Sequence, residues 1–146
     1  MKDPITFLTH SSNETEDVGK QIGRLVQNGD VLCLTGDLGA GKTTLVKGIA
    51  KQYTGINTLD VTSPTFTYLN IYSGVSDLYH FDLYRLSSPE EFIQAGFLEF
   101  LSAKGICCIE WPDRLPPHLS LQKISIHMEY ISLEQRKITV ERNYAS

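Results

Sequence analysis

An α/β fold on a mixed parallel and antiparallel sheet is what this sequence predicts, and three observations predict it. The segment Gly36-Asp37-Leu38-Gly39-Ala40-Gly41-Lys42-Thr43 spells G-x-x-x-x-G-K-[ST] between a short apolar run, Val31-Leu32-Cys33-Leu34, and a helical one, Thr44 to Ala50. A second apolar run, Ile106-Cys107-Cys108-Ile109, suits a buried strand. Near the end, Ile124, Ile126 and Met128, then Ile138 and Val140, alternate with polar residues as half-buried paired strands do.

The elements follow in order. Ile5-Thr6-Phe7-Leu8 predicts a first strand, and either Ser11 with Glu14 or Asn13 with Glu16 fits a capping box that opens a helix. Val18, Ile22, Leu25 and Val26 fall at i, i+4, i+7 and i+8 on one apolar face, with Asn28-Gly29 as the stop. The strand Val31 to Leu34 and the glycine-rich turn lead into a helix whose Leu45 and Ile49 lie four apart. Beyond Thr54-Gly55 comes a hydroxyl-rich loop, Val61-Thr62-Ser63-Pro64-Thr65. Phe66 to Tyr72, the Ser73-Gly74 turn and Leu78 to Tyr84 then predict an antiparallel pair. Pro89 takes the first position of a short helix, Phe97 to Ser102 predicts another, and the buried run and the two tail strands complete the sheet.

With 146 residues, 41% of them hydrophobic, the chain suffices for one well-cored domain over 1–146 and is short for two. A net charge of -4 argues against a broad electrostatic footprint for nucleic acid, so a role touching RNA requires a partner that supplies the grip. The sequence shows no charged-then-apolar leader, and its apolar stretches fall far short of the roughly 18 residues a membrane span needs; a soluble, cytoplasmic protein is expected. Cys33, Cys107 and Cys108 lie in apolar runs without C-x-x-C spacing or histidines at ligand intervals, and are expected as reduced core residues.

Chemistry concentrates in the glycine-rich turn. Gly36, Gly39 and Gly41 let the backbone curl with amides inward, a nest for phosphate at a helix N-terminus. Lys42 would reach the β and γ phosphates and the Thr43 hydroxyl would hold Mg²⁺. The four fixed positions coincide by chance in roughly 0.5% of chains this long, which sets a ligand-free turn well behind. Phosphoryl transfer is mainly positioning plus charge stabilisation, so carboxylates are needed beside the loop. Glu110 ends the buried run, where a strand delivers an acid to the ligand crevice, and Asp82 ends Leu78-Tyr79-His80-Phe81. Each also reads as an ordinary strand-end acid. Trp111, the only tryptophan, either shields a nucleotide or fills the core. Thr62, Ser63 and Thr65 read as γ-phosphate sensors or as a plain polar loop. His80 reads as structural, and His10, His118 and His127 show no partner pattern. Arg85 and Arg114 read as phosphate contacts, partner anchors or surface ion pairs. Guanine recognition lacks a basis, since neither N-K-x-D nor D-x-x-G occurs and Ser102-Ala103-Lys104 matches only superficially. Five arginines leave little for the Arg-rich lid of a small-molecule kinase.

Four segments in order, Gly36 to Thr44, Ser63-Pro64-Thr65-Phe66, His80-Phe81-Asp82-Leu83-Tyr84-Arg85-Leu86 and Ile109-Glu110-Trp111-Pro112, are similar to those of the TsaE (YjeE) family. These are the small ATPases of tRNA threonylcarbamoyladenosine synthesis. The resemblance implies a P-loop NTPase-like three-layer domain that binds ATP and Mg²⁺ and hydrolyses ATP in support of the TsaB and TsaD proteins. Those partners transfer a threonylcarbamoyl group to adenosine 37 of tRNAs reading codons that begin with A. The family does not itself form that bond, so contact with tRNA is indirect. The resemblance further implies that Asp37, Leu38, Gly39, Ala40, Gly41, Lys42, Thr43 and Thr44 cradle the phosphates, and that Thr43 and Glu110 form the Mg²⁺ site with Asp82 beside it. Trp111 would lie next to the nucleotide, and the segment near Ser12 would touch it. Lys42, Glu110 and Asp82 are the expected catalytic set. The alternative is a nucleotide-gated binding module with negligible hydrolysis, switched by ordering of the Thr62 to Thr65 loop.

Overall fold

Side-chain alternation along the central strands feeds two cores, one on each face of the sheet. The computed structural model describes residues 4–37, 40–64, 67–101, 104–119 and 123–143. In chain order the elements are β1 (Ile5–Thr9), α1 (Ser12–Leu25), β2 (Val31–Gly36), α2 (Lys42–Thr54), β3 (Leu69–Tyr72) and β4 (Leu78–Asp82). Then come α3 (Pro89–Gln94), α4 (Leu98–Leu101), β5 (Ile106–Glu110), a 3-10 turn (Pro112–Arg114), β6 (Lys123–Tyr130) and β7 (Arg136–Asn143). The seven strands form one sheet in the order β1-β7-β6-β2-β5-β4-β3. Its centre, β6-β2-β5-β4, is parallel, while β1 on β7, β7 on β6 and β3 on β4 are antiparallel. The predicted mixed sheet is therefore present.

Leu32 and Leu34 of β2, Ile106 and Cys108 of β5 and the tail residues Ile124, Ile126, Ile138 and Val140 pack under α1 and α2. Val31, Cys33, Cys107 and Ile109 face the other way, onto Phe92 of α3 and Leu101 of α4. Three layers result, and the central strands are apolar on both sides because both sides are covered. Gly19 and Gly48 set the spacing of the helical layer. A Cβ on Gly19 would lie 2.3 Å from the Leu45 carbonyl oxygen, and one on Gly48 would lie 2.0 Å from that of Glu16.

Of the two candidate capping boxes the chain uses Ser11 with Glu14. The Glu14 amide donates to Ser11 Oγ at 3.1 Å, and the His10 amide donates to Glu14 Oε1 at 2.9 Å. Asn13 and Glu16 lie inside α1, which ends at Leu25 rather than at Asn28. Val18, Ile22 and Val26 are buried, but Leu25 is 57% exposed. The buried stripe runs through Thr15, Val18 and Gly19, then Ile22 and Gly23, and Leu25 falls beside it. β4 stops at Asp82, short of Tyr84; its last ladder bond runs from the Leu83 amide to the Glu110 carbonyl at 3.1 Å, and the Tyr84 amide turns back to Asp82 Oδ1 at 3.1 Å. β3 starts at Leu69; Thr65 and Phe66, like Ser102 at the end of the predicted second short helix, lie outside the described residues. The cysteines are free and buried as expected. Burial pushes Cys33 up to about 11 and Cys107 up to about 12, so these thiols stay protonated. At the opposite end of the sheet from the phosphate loop, Arg142 of β7 grips Asp30 with both nitrogens, at 3.0 and 3.1 Å.

Candidate functional site

Strand register brings the candidate acids together. Leu34 pairs with Glu110 across β2 and β5, and Asp82 pairs with Glu110 across β4 and β5, so β4 and β5 end at one level and β2 runs two residues farther, to Gly36. The phosphate loop leaves β2 there and enters α2 at Lys42. Open α/β sheets bind ligands at this edge, beyond the carboxyl ends of their strands.

Two glycines shape the described part of the loop. Gly36 has φ +140°, and a Cβ there would lie 2.5 Å from the Met128 carbonyl oxygen. Gly41, the residue capping α2, has φ +96°, a conformation that favours glycine. Leu38 and Gly39 lie outside the described residues, and Asp37 is exposed. The first amides of α2 and the positive end of its dipole face the crevice, an arrangement suited to an anion. Lys42 Nζ donates to the Gly36 carbonyl at 2.8 Å and sits 4.7 Å from the centre of the Trp111 ring. Trp111 is held in the left-handed region at φ 60° and leans on Tyr84 with ring centres 4.9 Å apart. A bulky residue at positive φ stores strain that its surroundings must offset.

Gly41, Lys42, Thr43, Thr44, Ser63, Asp82, Glu110 and Trp111 line one cavity of about 290 Å³. Asp82 accepts from Ser63 Oγ at 3.0 Å and from the Tyr84 amide at 3.1 Å. Glu110 is 4% exposed, and its Oε2 lies 2.6 Å from Nε2 of the fully buried His80. Among the described residues no cluster of three or more His, Cys, Asp or Glu side chains could hold a metal by itself. Thr43, Glu110 and Asp82 still suit Mg²⁺, which keeps several waters and binds through one or two carboxylates plus substrate phosphates.

A second cavity, of about 220 Å³, is lined by Ser11, Ser12, Thr15, Gly41, Thr44, Leu133, Glu134 and Arg136. Gly41 and Thr44 belong to both cavities, so the two adjoin at the start of α2. Ser12 lies on this second wall, at the beginning of α1. Arg136 reaches from β7 to the loop, its Nε donating to the Ala40 carbonyl at 3.0 Å.

Other sequence candidates sit elsewhere. Arg114 donates to the Leu86 carbonyl at 2.5 Å, tying the 3-10 turn to the segment before α3. Thr62 uses its backbone, with its carbonyl accepting from Asn70 Nδ2 at 3.1 Å, while Thr65 lies outside the described residues. His127 does have a partner, its Nδ1 lying 2.8 Å from Thr35 Oγ1, and His10 stands 3.3 Å from Glu14. Sequence reading missed the tail residues Leu133, Glu134 and Arg136, which carry no motif and reach the site only through the β6–β7 pairing. It also missed the contact of His80 with Glu110, although their positions on two predicted strands were the available signal.

Comparisons with known proteins identify the family and the fold. The family described as "Threonylcarbamoyl adenosine biosynthesis protein TsaE" matches residues 9–138. The chain is similar to proteins named tRNA threonylcarbamoyladenosine biosynthesis protein TsaE. The Treponema pallidum protein is 41% identical over 133 residues, covering 91% of this chain and 97% of that protein. The Bacillus subtilis protein is 38% identical over 136 residues, covering 92% and 84% respectively. Among solved structures, the crystal structure of Bacillus subtilis YdiB superposes with a TM-score of 0.73 at 33% identity, covering 96% of this chain and 86% of that one.

Proposed function

The chain belongs to the TsaE family, and from that premise we propose that it binds and hydrolyses Mg²⁺-ATP in support of tRNA threonylcarbamoylation. In this reading it serves TsaB and TsaD partners that modify adenosine 37, meets tRNA only through them, and forms no bond to the tRNA itself. The observation that carries the reading is the convergence of Lys42, Thr43, Asp82 and Glu110 on one cavity at the strand ends. Among the described residues no helix is long and apolar enough to cross a membrane. We place the work in the cytoplasm.

The triphosphate lies along the amides at the start of α2. Lys42 has three donors, so it keeps the Gly36 carbonyl while directing another proton to the phosphates. Mg²⁺, when bound, neutralises charge on the phosphate oxygens; the Thr43 hydroxyl, Glu110 and Asp82 are the residues to hold it. Asp82, braced by Ser63 and the Tyr84 amide, orients the attacking water at the end of β4. Trp111 covers Lys42 and limits water around the phosphates. The nucleoside end extends into the adjoining cavity of Ser12, Thr15 and Arg136.

The Ser63–Asp82 bond also favours a second reading, in which nucleotide orders the hydroxyl-rich loop that carries Ser63 and gates docking without useful turnover. ATP hydrolysis by the purified chain with Mg²⁺, alone and with TsaB and TsaD, decides between them, with Glu110→Ala as control. Hydrolysis that rises with the partners and is lost in the variant supports the first reading. ATP binding without hydrolysis in either condition selects the second.

A further inference from the structure

His80 is a buried ionisable group beside the site that the proposed chemistry leaves without a task. It is 0% exposed, in the middle of β4, with apolar neighbours Tyr79 and Phe81 in sequence. Leu78, His80 and Asp82 share one face of β4, and Ile106, Cys108 and Glu110 share the same face of β5. Leu78, Ile106 and Cys108 belong to the core under α1 and α2. His80 therefore lies between that core and the acids at the strand ends, one step below Asp82 on β4 and diagonal to Glu110 on β5.

Its contact there is specific. Nε2 lies 2.6 Å from Glu110 Oε2, within two buried side chains. A carboxylate can only accept, so Nε2 carries the proton and donates. The other ring nitrogen, Nδ1, has no hydrogen-bond partner among the described residues. An imidazole buried with one nitrogen unpartnered is a poor packing element, and an apolar side chain of similar size would avoid that cost. Packing alone does not account for it.

Resting on the reading of Glu110 as a metal-site residue, we propose that His80 is its positioning residue. The bond from Nε2 fixes Oε2 toward the strand interior, so Oε1, which has no hydrogen bond among the described residues, is directed at the cavity beside Thr43. Partners in this outer position orient the carboxylates that hold metals, and their loss typically lowers metal affinity about 10- to 100-fold.

The test measures ATP affinity of the full chain by calorimetry, in EDTA and across a Mg²⁺ titration, for the wild type, His80→Leu, His80→Gln and Glu110→Ala. Binding is read instead of turnover, so a protein that binds without hydrolysing still answers. His80→Leu should shift the Mg²⁺ midpoint upward by about 10-fold or more and leave the affinity in EDTA unchanged. His80→Gln, whose amide nitrogen can reach the Nε2 position, should recover most of that shift. A folded His80→Leu with the wild-type Mg²⁺ response overturns the proposal. If wild-type affinity ignores Mg²⁺, or Glu110→Ala responds like the wild type, the metal reading of Glu110 fails first and takes this proposal with it. The wild-type protein supplies a check that no variant's folding can spoil. Ring ¹⁵N NMR should show His80 with its proton on Nε2, and a proton on Nδ1 alone would overturn the assignment.

Discussion

Asp30 with Arg142, largely buried, and His80 with Glu110, buried, are acid–base pairs at opposite ends of the parallel strands, and they are built differently. Asp30 is closed on every side: Arg142 takes both oxygens, the Gln27 amide donates to Oδ2 at 2.8 Å, and the Asp30 carbonyl accepts from the Cys107 amide at 3.1 Å. Among the described residues, Glu110 is held through one oxygen, by a histidine whose other ring nitrogen has no hydrogen-bond partner. The first arrangement engages both carboxylate oxygens and ties the last strand to the start of β2. The second keeps capacity in reserve, facing a cavity. Each pair sets a carboxylate against a nitrogen donor, and the two differ in how much of the carboxylate the donor engages; spare coordination is what separates a site from a brace.

Breaking the brace should give the largest change in stability. Removing one partner of a buried ion pair leaves the other uncompensated, so Asp30→Ala should cost about 3 kcal/mol or more in urea unfolding. The same variant, assayed while folded, should bind ATP as the wild type does, and weakened ATP binding would deny the two ends their independence. Glu110→Ala should do the reverse. Removing a charge that acts mainly during the reaction typically costs about 100-fold or more in turnover, close to 2.7 kcal/mol, with ATP still bound. Full hydrolysis by that variant would contradict the role given to Glu110.

The two ends were not equally legible in the sequence. The glycine-rich turn, the two apolar runs and the alternating tail were readable because each is a local pattern whose period or fixed residues report the backbone directly. Asp82 and Glu110 could be placed at strand ends for the same reason. Their adjacency was not readable, since it depends on the β4–β5 register. Nor was the pairing of Asp30 with Arg142, separated by 112 positions, or that of Ala40 with Arg136, separated by 96. Sheet order decides such contacts, and no local pattern carries it. His80 read as structural because a lone histidine gives no hint of its partner on another strand. The overlong helix and strand limits at Asn28 and Tyr84 arose where stop signals lie beyond the last paired amide.

Strand β7 allows a sharper comparison, because it carries an arginine at each end of one face. Residues 136, 138, 140 and 142 alternate onto that face, with Ile138 and Val140 in the core between the two arginines. Arg142 serves the brace and Arg136 serves the loop. Arg136→Met keeps much of the aliphatic length and removes the donor to Ala40, the donors to the Ser132 and Gln135 carbonyls in the β6–β7 turn, and a charge from the second cavity. ATP affinity should fall about tenfold, the size of one hydrogen bond from a charged donor. Unfolding should change far less than in Asp30→Ala. An Arg136→Met protein with unaltered ATP affinity would remove the tail from the nucleotide site.

The smallest effect is expected where charges are paired nearer the surface, at Glu16, which lies 3.1 Å from Lys51, 3.7 Å from Lys47 and 3.8 Å from Lys20. Burial alone raises its carboxyl, but the hydrogen bond and charge of Lys51, with Lys47 and Lys20, outweigh it and hold the group below its ordinary 4.5. The folded value therefore lies below the unfolded one. The stabilisation is complete above the unfolded value and is lost as pH falls through the folded value. Glu16→Gln should cost about 0.5 kcal/mol near neutrality, less in high salt, and nothing once both states are protonated. Urea unfolding of the two proteins at falling pH measures this. A difference that persists in acid would mean that Glu16 holds α1 to α2 by packing rather than charge, leaving the brace at Asp30 as the better case of electrostatic stabilisation in this fold.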